Sequence, residues 1–323
     1  MPLVHAALPI PAEIDALLGY AVRAPSLLNT QPWRFVVDDG TVRLYADRSR
    51  QLLALDPDGR ELTMSCGASL AYLSIAARHE GWTTHIHSVP DADDPDLLAT
   101  VAFRPAAAPY GDDRLFRALS QRRTNRRPFA ETPVPVPVWA DLADAADAEN
   151  ATLHVFDRPA DRSALSRLVA DGVLTQSTDR DVLGDIQRWL RGAGDPRPDG
   201  VRDSAQGVWD RHAAVRTPPT ALATYKARLI ADAPAVLVLS TAGDTPVHWL
   251  DAGRALTRVL VAAADRGLSA SYANEPIEVA TLREQVAIWT GGDPPQALFR
   301  VGYPTERPET ARRYASEVTE HAG

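Results

Sequence analysis

The sequence predicts an α+β chain built from two diverged copies of one unit. Three observations carry this. Helical and strand patterns alternate along the chain, with short turn-rich connections between them. One arrangement recurs: Glu61–Trp82 reads as a helix, then His79-Glu80-Gly81, then a strand, and Trp249–Ala270 repeats it around Asp265-Arg266-Gly267. Leu98–Phe103 is likewise matched by Ala297–Val301. Finally, 323 residues exceed what one small core needs and suit one large domain or two. The expected units are 1–110 and 111–323.

Taken in order, Pro11–Arg23 is a helix with Leu17, Leu18 and Val22 on one face. Arg34–Val37 and Val42–Tyr45 form a hairpin around Asp38-Asp39-Gly40. Glu61–Glu80 is a helix, with Leu62, Ala68, Leu70, Leu73 and Ile75 as its apolar positions, and Trp82–Val89 and Leu98–Phe103 are strands. Asp112–Gln121 is a helix that runs into a basic cluster. In the second copy Val136–Ala148 is a helix, Leu153–Phe156 a strand, and Ser163–Leu174 and Asp181–Leu190 are helices. Ala235–Ser240 has no alternation and reads as a buried strand, Pro246–Arg266 is a long helix, and Ala297–Val301 is the last strand. Arg191–Pro219 is rich in Gly, Pro and Asp and carries Trp209.

Composition removes several function classes. A net charge of −8 opposes broad binding to nucleic acid or anionic membrane. Apolar runs are too short to cross a bilayer, and the first residues lack a basic region followed by a long apolar one. The single cysteine, Cys66, excludes a disulfide framework and a thiolate metal cluster. A reducing cytoplasm is the expected location. His85 and His87 share one face of a strand but have no third ligand placed beside them, and exposed strand histidines are the better reading. No HExxH, GxSxG, phosphate-cradling GxxxxGK[ST] or GxGxxG pattern is present.

Four stretches carry chemistry. In Ala24–Phe35, Pro25 and Pro32 fix φ and stiffen a loop that carries Ser26, Leu27, Asn29 and Gln31. Small donors on a rigid loop suit a planar ring rich in oxygen and nitrogen, or its phosphate. In Gln121–Phe129, Arg122, Arg123, Thr124, Arg126 and Arg127 cluster where a helix ends. Arginine forks match phosphate oxygens, although a basic helix end also complements the helix dipole. Phe299–Pro304 is followed by Glu309–Arg313, with Arg312 and Arg313 in the tail, which also reads as a charged terminus. The fourth stretch is Gly267–Pro276, with Ser269, Ala270 and Ser271.

Together these resemble the motifs of the nitroreductase-like FMN flavoproteins: APSxxNxQPWxF over Ala24–Phe35, RRSxR over Arg122–Arg126 with Thr124 in place of serine, and the closing GYP strand over Gly302–Pro304. The Asn274-Glu275-Pro276 continuation and Gly291-Gly292-Asp293-Pro294 are similar to the long Acg-like branch, in which two such units are fused. The resemblance implies a nitroreductase-like fold and one non-covalent FMN. Arg122 and Thr124 would grip its phosphate, with Arg312 or Arg313, and Arg126 would lie beside the pyrimidine edge. Backbone after Gly267-Leu268, at Ser269, Ala270 and Ser271, would lie against N5 and O4.

In the simple family the site is shared across a homodimer. Here the first half keeps Pro25–Asn29 and the second keeps Arg122–Arg126, whereas Glu149–Leu153 stands where a second PSxxN loop belongs. One composite site per chain follows, in a monomeric pseudo-dimer. The implied activity is transfer of hydride or electrons from a transiently docked NAD(P)H, through FMN, to an unidentified small acceptor, with no acid–base residue required. The alternative is an FMN-holding protein closed by a lid at 179–219, which carries Trp189, Arg191, Arg202, Trp209 and Arg211.

Overall fold

The computed structural model describes residues 8–89, 91–106, 113–192, 194–202, 217–306 and 309–322. Two antiparallel sheets flank a pair of crossed central helices. Helix α1 (Pro11–Ala21) opens with Pro11, whose missing N–H costs nothing there, and leads to strands β1 (Trp33–Asp38) and β2 (Thr41–Ala46). Helix α2 (Arg60–His79) follows, capped by the Asp56 carboxylate, which accepts from the Glu61 and Leu62 amides at 3.0 and 2.8 Å. Strands β3 (Trp82–Ser88) and β4 (Leu97–Pro105) complete this half.

Helix α3 (Asp113–Gln121) leads into the second half: α4 (Val136–Asp147), β5 (Ala151–Phe156), α5 (Pro159–Thr178), α6 (Arg180–Arg188), the short strands β6 (Leu190–Arg191) and β7 (Val201–Arg202), and α7 (Pro219–Ala231). Then come β8 (Ala235–Thr241), α8 (Pro246–Asp265), β9 (Ser269–Tyr272), α9 (Ala280–Ala287), β10 (Pro295–Gly302) and β11 (Thr319–His321).

The two large sheets have the same plan. One runs β1-β2-β4-β3 and the other β5-β8-β10-β9, each pair antiparallel, with α2 or α8 between the second and third strands in sequence. The second half adds α5, α6, β6, β7 and α7 between β5 and β8. The C-terminal strand β11 crosses back and pairs in parallel with β1, Phe35 opposite Thr319. The first sheet is therefore not made by residues 1–110 alone.

Helices α2 and α8 cross at two glycines. A Cβ on Gly67 would meet the Leu250 carbonyl oxygen at 2.2 Å, and one on Gly253 would meet that of Met64 at 2.0 Å. The relation is reciprocal: each glycine receives the carbonyl three residues before the other. Seventeen apolar and polar residues of α2 are buried, so it is covered on every face. Its Met64 packs in the second half's core, while Leu250, Val261 and Ala264 of α8 pack in the first half's core. Cys66, next to Gly67, is fully buried with its Sγ donating to the Pro32 carbonyl at 3.3 Å, and burial pushes its thiol pKa up.

Helices α7 and α9 and strands β6, β7 and β11 are absent from the sequence-based reading; β6 and β7 pair in parallel, Leu190 opposite Val201. No described helix is long and apolar enough to cross a membrane.

Candidate functional site

The loop between α1 and β1 is strained. Leu28, Asn29 and Gln31 have φ of 46°, 57° and 52°, in the left-handed region that costs a side chain about 1–3 kcal/mol. Hydrogen bonds hold it there. The Gln31 amide donates to Ser26 Oγ at 2.9 Å and the Leu27 amide to Ser65 Oγ at 3.2 Å. Asn29 Nδ2 donates to the carbonyls of Gly200 and Ala311 at 3.1 and 3.3 Å. Leu28 is clamped in an apolar cluster with Leu52, Leu55, Val182, Ile186, Trp189 and Val201. The loop therefore depends on the excursion after α5 and on the C-terminal tail.

Beside it lies a cavity of about 330 Å³. The loop contributes Pro25, Ser26, Leu27, Leu28 and Asn29, and α2 contributes Glu61, Met64, Ser65 and Ala68. The basic stretch contributes Arg122, Arg123, Thr124 and Arg126, strand β9 and its continuation contribute Ser271–Asn274, α7 contributes Lys226, Leu229 and Ile230, and the tail contributes Glu309, Thr310 and Arg312. Both halves and the tail thus build one chamber.

Four of its arginines, Arg23, Arg122, Arg123 and Arg312, gather at one pole. Arg312 donates from Nε to the Ala24 carbonyl at 3.2 Å, and burial, with Arg122, Arg123 and Arg23 nearby, pushes its pKa down to about 9. Arg122 is buried and donates from Nε to the Tyr72 hydroxyl at 2.7 Å. Burial and Arg122 likewise lower the pKa of Arg123. Cations held this close repel one another, and an anion placed among them relieves that repulsion.

Most residues anticipated from the sequence line the cavity: Pro25, Ser26, Leu27, Asn29, Arg122, Arg123, Thr124, Arg126, Ser271 and Arg312. Ser269, Ala270 and Arg313 do not. The Ala270 carbonyl instead accepts from the Asn125 amide at 2.9 Å, seating the basic stretch on the edge of β9, and Ser269 lies opposite Gly302 within the sheet. Arg313 turns away: its amide donates to Gln31 Oε1 at 2.8 Å and its guanidinium reaches the Gln31 and Glu317 carbonyls. Sequence reasoning missed the contributions of Glu61, Lys226 and Arg300. Glu61 resembles an ordinary first-turn acid and Arg300 an ordinary strand residue, so neither carries a local signal. His85 and His87 are exposed on β3, and the described residues contain no group of three metal-ligating side chains.

Of the excursion at 179–219, Arg188 donates to the Gln51 carbonyl at 2.7 Å, Asp199 bridges Arg50 and Arg191, and Val201 reaches the cavity. Trp209 and Arg211 lie outside the described residues, as does Pro308 of the tail.

The site is thus a chamber with a basic pole, shared between the two halves of an α+β protein. The donor set suits a phosphate at the arginine pole. On the loop, Asn29 Oδ1 is buried without a hydrogen-bond partner among the described residues, an unsatisfied acceptor next to the cavity that Asn29 lines. Residues fitted to a flavin mononucleotide would have these two features. Comparison with known proteins agrees on the class. The model of the Nitroreductase family matches residues 119–303. The chain is 33% identical over 330 residues to Rv3131 of Mycobacterium tuberculosis, which bears the name of a candidate NAD(P)H nitroreductase, covering 95% of this chain and 91% of that protein. It is 33% identical over 317 residues to the acg protein of the same organism, similarly named, covering 94% of each. A solved structure of oxidized iodotyrosine deiodinase bound to FMN and 3-iodo-L-tyrosine aligns at 14% identity and a TM-score of 0.42, over 62% of this chain and 94% of that one. The chain belongs to the nitroreductase family, and its fold is nitroreductase-like.

Proposed function

We propose that this chain is an FMN-binding oxidoreductase that passes hydride or electrons from NAD(P)H to a small acceptor. The observation that carries the reading is the arginine pole. Arg122, Arg123 and Arg312, from two separate parts of the sequence, converge with Arg23 on one cavity that Asn29 also lines. Bound FMN would supply the redox chemistry; the chain supplies binding, orientation and electrostatics.

Each residue has a task in this reading. Arg122, Arg123, Thr124 and Arg312 would hold the phosphate. Asn29 Oδ1 would accept from the flavin, its orientation fixed by the bonds of Nδ2. Arg126, as the family motif implies, would stabilise negative charge at the pyrimidine edge. The wall of Met64, Ala68 and Leu256 presents apolar surface to a ring and excludes water. No described side chain needs to move a proton.

We further propose that residues 1–110 and 111–323 descend from one unit and that the chain is a monomer with one flavin. The pairing of β5 with β8 and the reciprocal glycine crossing support it. At the internal equivalent of the flavin site, Glu149 is buried against Arg254 and Arg258, and no loop like that of Pro25–Asn29 is formed.

The test is direct. Purified protein should be yellow, run at the mass of a monomer, and release one FMN per chain on denaturation. Finding FAD, no flavin, or two FMN per chain would refute the composite site. Anaerobic NADPH should then bleach the bound flavin. The hydrogen bonds from Asn29 to the carbonyl of Gly200 favour a second reading, a protein that holds FMN behind a closed excursion; persistence of the oxidised spectrum under NADPH would select it.

A further inference from the structure

The cavity has a second compartment whose charge the flavin reading does not use. Strand β10 carries Arg300 directly opposite Ser271 of β9, so the two side chains share one face of the sheet. Leu298, two residues away on that face, packs with Ile230 of α7. The compartment thus lies between the outer face of the sheet and α7, roofed by Lys226, Leu229 and Ile230.

The ionic groups here are not equivalent. Lys226 is spoken for by Glu275, Nζ to Oε1 at 2.6 Å. The Glu61 carboxylate accepts from Arg60 Nη2 at 2.9 Å and from Asn274 Nδ2 at 3.0 Å. Arg300 differs: it is only 2% exposed, and no described carboxylate lies within ion-pairing distance. Its Nη2 donates to the Asn125 and Arg127 carbonyls, at 3.3 and 2.8 Å, and its guanidinium stacks over Phe129 at 4.4 Å. Three of its five N–H groups, on Nε and Nη1, have no acceptor among the described residues. Burying such a cation without a counter-charge is costly. Nor is it part of the arginine pole, since none of Arg23, Arg122, Arg123 or Arg312 contributes to the lowering of its pKa, which burial causes.

We propose that Arg300 anchors the carboxylate of the small acceptor, so that this enzyme takes an acid with an apolar body. The proposal rests on the flavin reading. Leu229 and Ile230 would cover the apolar body, while Nε and Nη1 of Arg300 would donate to the carboxylate. The same anionic chemistry could be supplied by the 2′-phosphate of a nicotinamide donor, and the experiment separates the two.

Holoprotein of measured FMN content is titrated calorimetrically with 4-nitrobenzoate and with its neutral isostere 4-nitrobenzamide. The acid should bind about tenfold more tightly than the amide, the worth of one charge-assisted contact. In Arg300→Gln that preference should fall to within about twofold, with FMN content and amide affinity unchanged. Arg300→Lys should keep part of it. Equal binding of acid and amide by the unaltered protein overturns the proposal, and so does a proportional loss of both in the variants, which marks Arg300 as a brace for Asn125 and Arg127. A change in NADPH but not NADH affinity, with the acid preference intact, assigns the anion to the donor and also overturns it. The flavin measurement stands apart: a colourless protein refutes the cofactor reading, while the acid–amide comparison still reads Arg300.

Discussion

Gly67→Ala should be among the most damaging conservative changes available in this chain. The new Cβ would stand 2.2 Å from the Leu250 carbonyl oxygen and 3.3 Å from the Arg254 nitrogen. Ordinary contact starts near 3.4 Å, so α2 and α8 would have to part by about 1 Å along their crossing. The obstacle is backbone and cannot rotate away. Overpacking of this kind costs about 1–3 kcal/mol, and parting the helices also loosens Met64, Leu250 and their neighbours in both cores. Against this, alanine is about 1 kcal/mol better than glycine inside a helix. The net expectation is a loss of about 1 kcal/mol, read from urea unfolding at unchanged slope. Gly19→Ala in α1 is the matched control: nothing lies within 4 Å of its Cβ, so only the propensity gain remains and stability should rise by up to about 1 kcal/mol. Because Gly67 and Gly253 share one crossing, the double alanine variant should lose less than the sum of the singles. Gly67→Ala and Gly19→Ala shifting stability in the same direction would refute the close-approach argument.

Two further expectations concern charge. Arg122→Ala should weaken FMN binding by about 1.5–3 kcal/mol, one to two decades in affinity, whereas Arg43→Ala, on the hairpin and paired with Asp38, should leave it unchanged; fluorescence titration of apoprotein reads both. Asp244 ties α8 to α9 and β10: it accepts from Trp249 Nε1 at 2.6 Å, from Gln296 at 3.0 Å and from both Nη atoms of Arg283. Burial alone would raise its pKa, but Arg283, Gln296 and Trp249 hold it well below the usual carboxylate value. Its stabilising contribution is therefore present above pH 4 or so and lost as pH falls through the lowered value. Asp244→Asn should cost about 1 kcal/mol at neutral pH, discounted for partial exposure, and flatten the acid limb of a stability–pH curve.

The sequence discloses what depends on local pattern. Helices α1, α2, α4 and α8 announce themselves through apolar periodicity, helped in α1, α4 and α8 by proline at the start, and the hairpin through Asp39-Gly40. The repeat is legible because the equivalent helices α2 and α8 are each followed by a positive-φ glycine, Gly81 and Gly267, before the next strand. Helices α7 and α9 are harder: they bury only three and two residues, and α9 spans only eight. Strand β11 has three residues and gains its identity solely from pairing with β1. In the candidate site, the loop and arginine motifs are contiguous and visible. Lys226 and Arg300 reach the cavity only through sheet register and helix packing, which no local window encodes. The choice between Arg312 and Arg313 likewise depends on which way the tail turns as it passes Ala24 and Gln31.

That tail has a consequence for how the protein comes into being. Arg34 and Glu320, joined across the β1–β11 pair, are 286 residues apart in sequence. During synthesis the β1 edge stays open, with its amides and carbonyls unpaired, until residues 319–321 have emerged. Arg312, on the same segment, reaches the arginine pole no earlier than this strand can dock. A nascent chain could build both central helices and most of both sheets, yet it would hold an incomplete anion pocket and an unprotected sheet border. Seating of β11 therefore links closure of the first sheet's border to completion of the cavity wall, and a chain stalled before that point would be exposed to edge-to-edge association.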